Sequence, residues 1–124
     1  MMRMQWWANY FNDVDTMDPT RFGAWFAEDI QLQFNNAPVI SGKDAVLEFL
    51  HEFTKNFSSL KHSHGQLVGD ETNAAGEAMI TFCSGEDARF VVRGVTIVSR
   101  GQTGFRRMAI FADFSEIYSV LQGA

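Results

Sequence analysis

The stretch from Arg89 to Phe114 constrains this chain most. It reads RFVVRGVTIVSRGQTGFRRMAIFADF, two runs rich in β-branched and aromatic residues broken once by Gly101-Gln102-Thr103-Gly104. Small polar residues between glycines mark a tight reversal, so the stretch reads as a long antiparallel hairpin. Alternation sorts its side chains onto two faces. Phe90, Val92, Gly94, Thr96 and Val98 share one face of the first strand; Phe105, Arg107, Ala109, Phe111 and Asp113 share one face of the second. Asp113 is the misfit, a carboxylate in phase with Phe111 and Ala109. An acid on a largely apolar face is costly unless it is paired, solvated or used in chemistry, so Asp113 is the first candidate for function.

A length of 124 residues allows one domain, spanning 1–124, with a real core. Its 12 Phe exceed what such a core requires, and the surplus has to line a cavity or an interface. A net charge of −5 with no basic run argues against a nucleic-acid surface, because phosphate binding needs clustered Lys and Arg. The single cysteine, Cys83, cannot form an internal disulfide, which favours a reducing cytoplasm. No apolar run approaches a membrane span, and Met1–Tyr10 lacks a signal-peptide core. The expectation is a soluble cytoplasmic protein with neither nucleic acid nor membrane as partner.

In chain order, Trp7, Tyr10, Phe11 and Val14 recur at helical spacing over Gln5–Val14. Asp18-Pro19 supplies an N-cap and a first-turn proline for a second helix, carried by Phe22, Trp25 and Phe26 to Glu28-Asp29. Ile30–Phe34 alternates as a strand, Asn35-Asn36 turns, and Pro38–Ile40 is a short return. Ser41-Gly42-Lys43-Asp44 resembles a capping box before a third helix, whose buried stripe is Val46, Phe49, Leu50, Phe53 and Phe57. From Leu60 the period is two, with Leu60, His62, His64, Gln66 and Val68 on one face. Gly69–Gly76 is a polar turn region, Ala78–Cys83 the next strand, Ser84-Gly85-Glu86-Asp87 a reversal, and Ser115–Leu121 a short tail or frayed helical turn. Helices on one face of a curved antiparallel sheet make an α+β fold.

The strings FGAWFAEDIQLQF, SGKDAVLEFL and VVRGVTIVSRGQTGFRRMAIFADFSEI resemble the SnoaL-like and ketosteroid isomerase-like branch of the nuclear transport factor 2-like superfamily. The resemblance implies a cone, or cystatin-like α+β roll: a strongly bent, mostly antiparallel sheet wrapped around a long helix, open at one end to a small hydrophobic molecule. It also implies a homodimer and no cofactor. Chemistry varies across the branch, through isomerases, cyclases, dehydratases and hydrolases, so the fold does not fix function. Tyr10 is similar in position to the hydrogen-bonding tyrosine of ketosteroid isomerases, but Phe34 and Thr96 stand where those enzymes have aspartates. That departure argues against ketosteroid isomerisation. Asp113 is similar to the late acid of SnoaL-like cyclases, and His62 or His64 to the histidine of scytalone dehydratase-like members.

The candidate catalytic residues are therefore Asp113, His62, His64 and Tyr10. Those assigned to ligand binding are Trp25, Phe34, Phe49, Phe53, Met79, Thr81, Thr96, Arg107 and Phe111. Each has a duller reading beside it. Asp113 can cap the terminal segment, the aromatic stripes can be plain core, and Cys83 reads as a buried filler. His62 and His64 project from one strand face about 7 Å apart, and no third ligand completes a metal site. Gln31, Gln33, Val91, Arg93, Val95 and Ile97 fall on the outer sheet face, where a homodimer is expected. Three roles stay open: a cofactor-independent enzyme for a small cyclic or polyketide-like compound, a ligand-binding module, and a dimerisation or adaptor domain.

Overall fold

A computed structural model describes residues 4–85 and 88–123. Helix α1 (Gln5–Asp15) buries Trp6, Trp7, Tyr10 and Phe11, a stripe three and four residues apart. Asp18 then accepts a hydrogen bond from the Thr20 N–H at 2.9 Å, and Pro19 opens α2 (Pro19–Gly23). This helix is shorter than its apolar spacing suggests. Strand β1 (Phe26–Phe34) already begins at Phe26, because the Phe105 N–H donates to the Trp25 carbonyl at 2.7 Å and draws the chain into the sheet. Gly104 is required at this junction: its φ is +133°, and a Cβ there would lie 2.6 Å from the Trp25 carbonyl oxygen.

Strand β2 (Ile40–Ser41) returns beside β1, and α3 (Lys43–Thr54) follows. The expected capping box does not form. Gly42 itself takes the N-cap position, its carbonyl accepting from the Val46 N–H, while Ser41 is committed to the strand pair. Strands β3 (Ser59–Gly69), β4 (Asn73–Ser84), β5 (Ala88–Gly101) and β6 (Gly104–Ala112) form an antiparallel meander, and β6 closes back on β1 in parallel. The sheet order is β2-β1-β6-β5-β4-β3, an α+β arrangement with the helices on one face of a curved sheet. Glu86 and Asp87 of the expected reversal lie outside the described residues. The C-terminal segment is a full helix, α4 (Ser115–Gly123), rather than a frayed turn.

Two bulges decide which side chains face the helices. In the hairpin, Arg100 pairs with Phe105 but Ser99 pairs with Arg107, so Arg106 is an extra residue in β6. Phe105 points inward; past the bulge the inward set becomes Met108, Ile110 and Ala112, and Arg107, Phe111 and Asp113 are exposed. In β3, His64 pairs with Ala78 and Leu67 with Gly76, so Gly65 and Gln66 together oppose Glu77. The Glu77 carboxylate accepts the Gln66 N–H at 3.0 Å, and beyond it Leu67 turns inward while Gln66 and Val68 are exposed. Strict alternation, carried through both points, had placed these side chains on the wrong faces. On β5, which has no insertion, Phe90, Val92 and Val98 are buried as alternation requires.

The core has two clusters. Trp6, Trp7, Tyr10, Phe11, Phe22, Phe26, Phe105 and Met108 belong to one; Phe34, Phe57, Leu60, Ile80, Phe82, Phe114 and Ile117 belong to the other.

Candidate functional site

At the seam between the two clusters lies a cavity of about 70 Å³. Its wall is almost wholly apolar, with Phe11, Phe34, Phe53, Phe82 and Phe114 supplying rings. Four polar side chains interrupt it: Tyr10 from α1, Thr54 from α3, His62 from β3 and Thr96 from β5. No lysine or arginine lines it.

His62 is the best-held of these groups. Its Nδ1 lies 2.6 Å from Asp15 Oδ1, and its backbone N–H donates to Asp15 Oδ2 at 3.0 Å. The side chains are 8% and 22% exposed, so the pair is largely withdrawn from water. A carboxylate only accepts, so Nδ1 carries the proton of this bond and Nε2 is the ring nitrogen left for a molecule in the cavity. Phe11 packs against the imidazole with ring centroids 4.6 Å apart and fixes its plane.

The position of Asp15 follows from an awkward stretch of sequence. Asp13 and Asp15 both sit in the last turn of α1, where the helix dipole disfavours anions and no basic residue compensates. Each finds a partner outside the helix. Asp13 accepts from Trp25 Nε1 at 2.8 Å and from Arg21 at 2.9 Å; the indole bond first, then the guanidinium, holds its carboxyl below the usual range. That clamp ties α1 to the segment after α2 and carries Asp15 to His62.

Tyr10 is fully enclosed, and burial pushes its phenol far above the ordinary tyrosine range, so it stays a proton donor. Its acceptor is Met108 Sδ at 3.4 Å, a weak partner that an oxygen atom would displace. Thr54 donates to the Leu50 carbonyl at 2.9 Å. His64 lies beside Phe11 at the sheet edge, exposed, its ring nearly parallel to that of His62 at 6.3 Å. Partial desolvation of the ring, first, and then the neighbouring His62 lower its proton affinity against the pull of Asp15.

The structure brings together Tyr10, His62, Phe34, Phe53 and Thr96 from the residues singled out by sequence. It removes others. Asp113 is exposed and accepts the Ser115 N–H at 2.9 Å, capping α4, and the Ser115 hydrogen bonds hold its carboxyl below the usual range. Arg107 and Phe111 are turned outward by the bulge at Arg106. Met79 is exposed and Thr81 pairs with the exposed Val91, because on β4 the inward set is Ile80 and Phe82. Phe49 packs behind Phe34, and Trp25 meets Tyr10 edge-on and Phe105 at a tilt without lining the cavity. Asp15 was missed; the signal for it was an acid at the wrong end of a helix. Among the described residues no three His, Cys, Asp or Glu side chains are grouped to hold a metal ion, and no helix is long and apolar enough to cross a membrane.

Residues 7–115 match the SnoaL-like domain family. Solved structures share the fold at low identity. A protein assigned as a SnoaL-like polyketide cyclase from Jannaschia sp. CCS1 superposes with a TM-score of 0.79 at 12% identity, over 94% of this chain and 89% of that one. TerC, co-crystallised with polyporic acid, gives 0.75 at 9% identity, over 91% and 92%. A protein with a ketosteroid isomerase-like fold from Catenulispora acidiphila DSM 44928, in complex with trimethylamine, gives 0.75 at 11% identity, over 89% and 86%. No curated protein matches by sequence. At these identities the likeness carries the fold.

Proposed function

The chain belongs to the SnoaL-like domain family, and on that premise we propose that its cavity binds a small, neutral, mostly apolar cyclic compound and exchanges a proton with it through His62. The observation that carries this reading is the 2.6 Å contact between His62 Nδ1 and Asp15 inside an apolar wall. In this arrangement Asp15 fixes the tautomer and ring orientation, and Nε2 takes or returns the proton at a carbon or oxygen acid. Tyr10 releases Met108 and donates to the ligand oxygen that gains charge. Thr96 is a second polar contact. A neutral ligand fits the absence of Lys and Arg from the wall, since a carboxylate or phosphate there would have no cation to meet. Relatives of this fold crystallised with polyporic acid and with trimethylamine support a small-molecule role for the site.

The reading is tested with a panel of cyclic ketones and phenols, by thermal shift and by deuterium exchange at the carbon beside the carbonyl. The expected result is stabilisation by at least one compound and exchange that falls by about 10²-fold or more in His62→Gln while binding survives. Binding with exchange unchanged in His62→Gln leaves a ligand-binding module instead. A panel with no binder removes both.

We also place a homodimer on the outer sheet face, where Met79, Val91, Val95 and Phe111 stand exposed together on β4, β5 and β6. Val95→Arg is expected to convert a dimer to a monomer in size-exclusion chromatography; a monomeric parent chain counts against it. A cytoplasmic location goes with the lone thiol of Cys83.

A further inference from the structure

The cavity is too small for the ligand that its chemistry calls for. An apolar cavity that takes a single benzene ring measures about 150 Å³, and ligand pockets run from about 300 Å³ upward. The space here is about 70 Å³. If the cavity is the site proposed above, on which this inference rests, the structure shows it in a contracted form and some part of the wall has to move.

Hydrogen bonding indicates which part. The strands are tied to one another by their ladders, and α1 is fixed by Asp13 to Trp25 and by Asp15 to His62. The end of β6 is clamped as well. Asn35 Nδ2 donates to the Ala112 carbonyl at 2.9 Å, the Ala112 N–H donates to Asn35 Oδ1 at 2.9 Å, and the Asn35 N–H donates to the Ile110 carbonyl at 2.8 Å. Past Ala112 the anchoring changes. Among the described residues, the hydrogen bonds of 113–120 stay within that segment, from the Ser115 N–H to Asp113 and from the Tyr118 N–H to Phe114. What holds α4 down is apolar contact: Phe114 stacked on Phe34 at 5.2 Å and edge-on to Phe53 at 5.3 Å, Ile117 fully buried, and Tyr118 against Phe53 at 6.3 Å. Phe114 and Phe53 are themselves cavity wall.

We propose that α4 is the lid of the cavity, swinging as a unit about Asp113 and carrying Phe114 out of the wall, with the Asn35 clamp on Ala112 as the fixed side of the hinge. Asp113 acts as the cap that keeps α4 helical when it lifts, rather than as a group of the site. Exposing two buried apolar side chains places the open form at roughly 10⁻² to 10⁻⁴ of the population, far above that of the unfolded chain.

Cysteine accessibility tests this with methyl methanethiosulfonate in a Cys83→Ser background. Ile117→Cys reports undocking of α4, Thr54→Cys reports opening of the cavity, and Val98→Cys, fully buried in the sheet and outside the cavity wall, reports global unfolding. The expected result is that positions 117 and 54 react at rates within about threefold of each other and about 100-fold or more faster than position 98. Two outcomes overturn the lid. In one, position 54 reacts only as slowly as position 98, so that α4 frays without opening the cavity; in the other, all three react together. On the unaltered chain the Tyr118 amide is expected to exchange about 100-fold or more faster than the Phe105 amide, and equal protection contradicts the lid even where a variant fails to fold. None of these readouts involves proton transfer at His62, so failure of the lid and failure of the proposed chemistry are separable.

Discussion

Asp15, in the last turn of α1, and Asp113, one residue short of the Phe114–Ser115 start of α4, are carboxylates at opposite ends of two helices. Asp113 faces exposed N–H groups of its own helix and is satisfied within two residues, by Ser115. Asp15 sits at the end where carbonyls are exposed, so nothing local can satisfy it, and it bonds His62 across 47 residues of chain. The difference teaches where to look for an acid with a task. A carboxylate at a helix N-terminus already has a partner; one at a C-terminus must find it in another element, and here that element delivers an imidazole to a cavity.

The sharpest way to break this comparison is to test the bulge that turns Asp113 outward. Phe105 and Phe111 have the same parity on β6, yet the first is fully buried and the second 41% exposed. In the monomeric Val95→Arg background, Phe105→Ala is expected to cost about 3–5 kcal/mol in urea unfolding, and Phe111→Ala no more than about 0.5 kcal/mol. Similar costs would mean that alternation runs unbroken and that Asp113 faces the cavity after all.

The next largest effect is at the two acids themselves. Asp15→Ala strips the His62 imidazole and backbone N–H of their partner and is expected to destabilise by about 1–3 kcal/mol. Asp113→Ala removes one exposed cap and is expected to lower the urea midpoint less than Asp15→Ala does. The reverse ranking would exchange the roles assigned here.

The smallest effect is a pH dependence at the rim. Because His64 binds its proton more weakly in the folded chain than at the ordinary histidine value near 6.5, the unfolded chain protonates first as pH falls. Stability is then full above about pH 6.5, declines as pH drops below it, and levels off once the folded protein is protonated too. His64→Asn is expected to lose less stability than the parent chain between pH 8 and pH 5.5. Equal losses would show that His64 sits in water without the influence of His62.

Much of this fold was readable in sequence because its signals are local. Trp7, Tyr10 and Phe11 repeat at helical spacing, Asp18-Pro19 marks a helix start, and Gly101–Gly104 turns the hairpin, each within a few residues. What failed was whatever another strand decides. Phe26 reads as the end of a helix until Phe105 pairs with it, and Arg106 and Gly65-Gln66 look like ordinary strand residues until their partners skip them. One inserted residue reverses every later assignment on a strand. That is why Asp113, Phe111 and Arg107 share the inner face by spacing alone. Met79 and Thr81 have a different cause: β4 runs against β5 without an insertion, and its inner face is fixed by Ile80 and Phe82 paired with the buried Val92 and Phe90. Tyr10 and His62 lie on unbulged stretches and reached the cavity as their spacing indicates. Asp15 needed a further step, from a poorly placed charge to the partner it must have.

The central claim is that Asp15 fixes His62 with Nε2 available to the cavity, and long-range proton–nitrogen NMR of the His62 ring measures it most directly. The account predicts that neutral His62 carries its proton on Nδ1 in the parent chain and that this preference weakens or inverts in Asp15→Asn. A parent spectrum with the proton on Nε2, unchanged by the substitution, would contradict it.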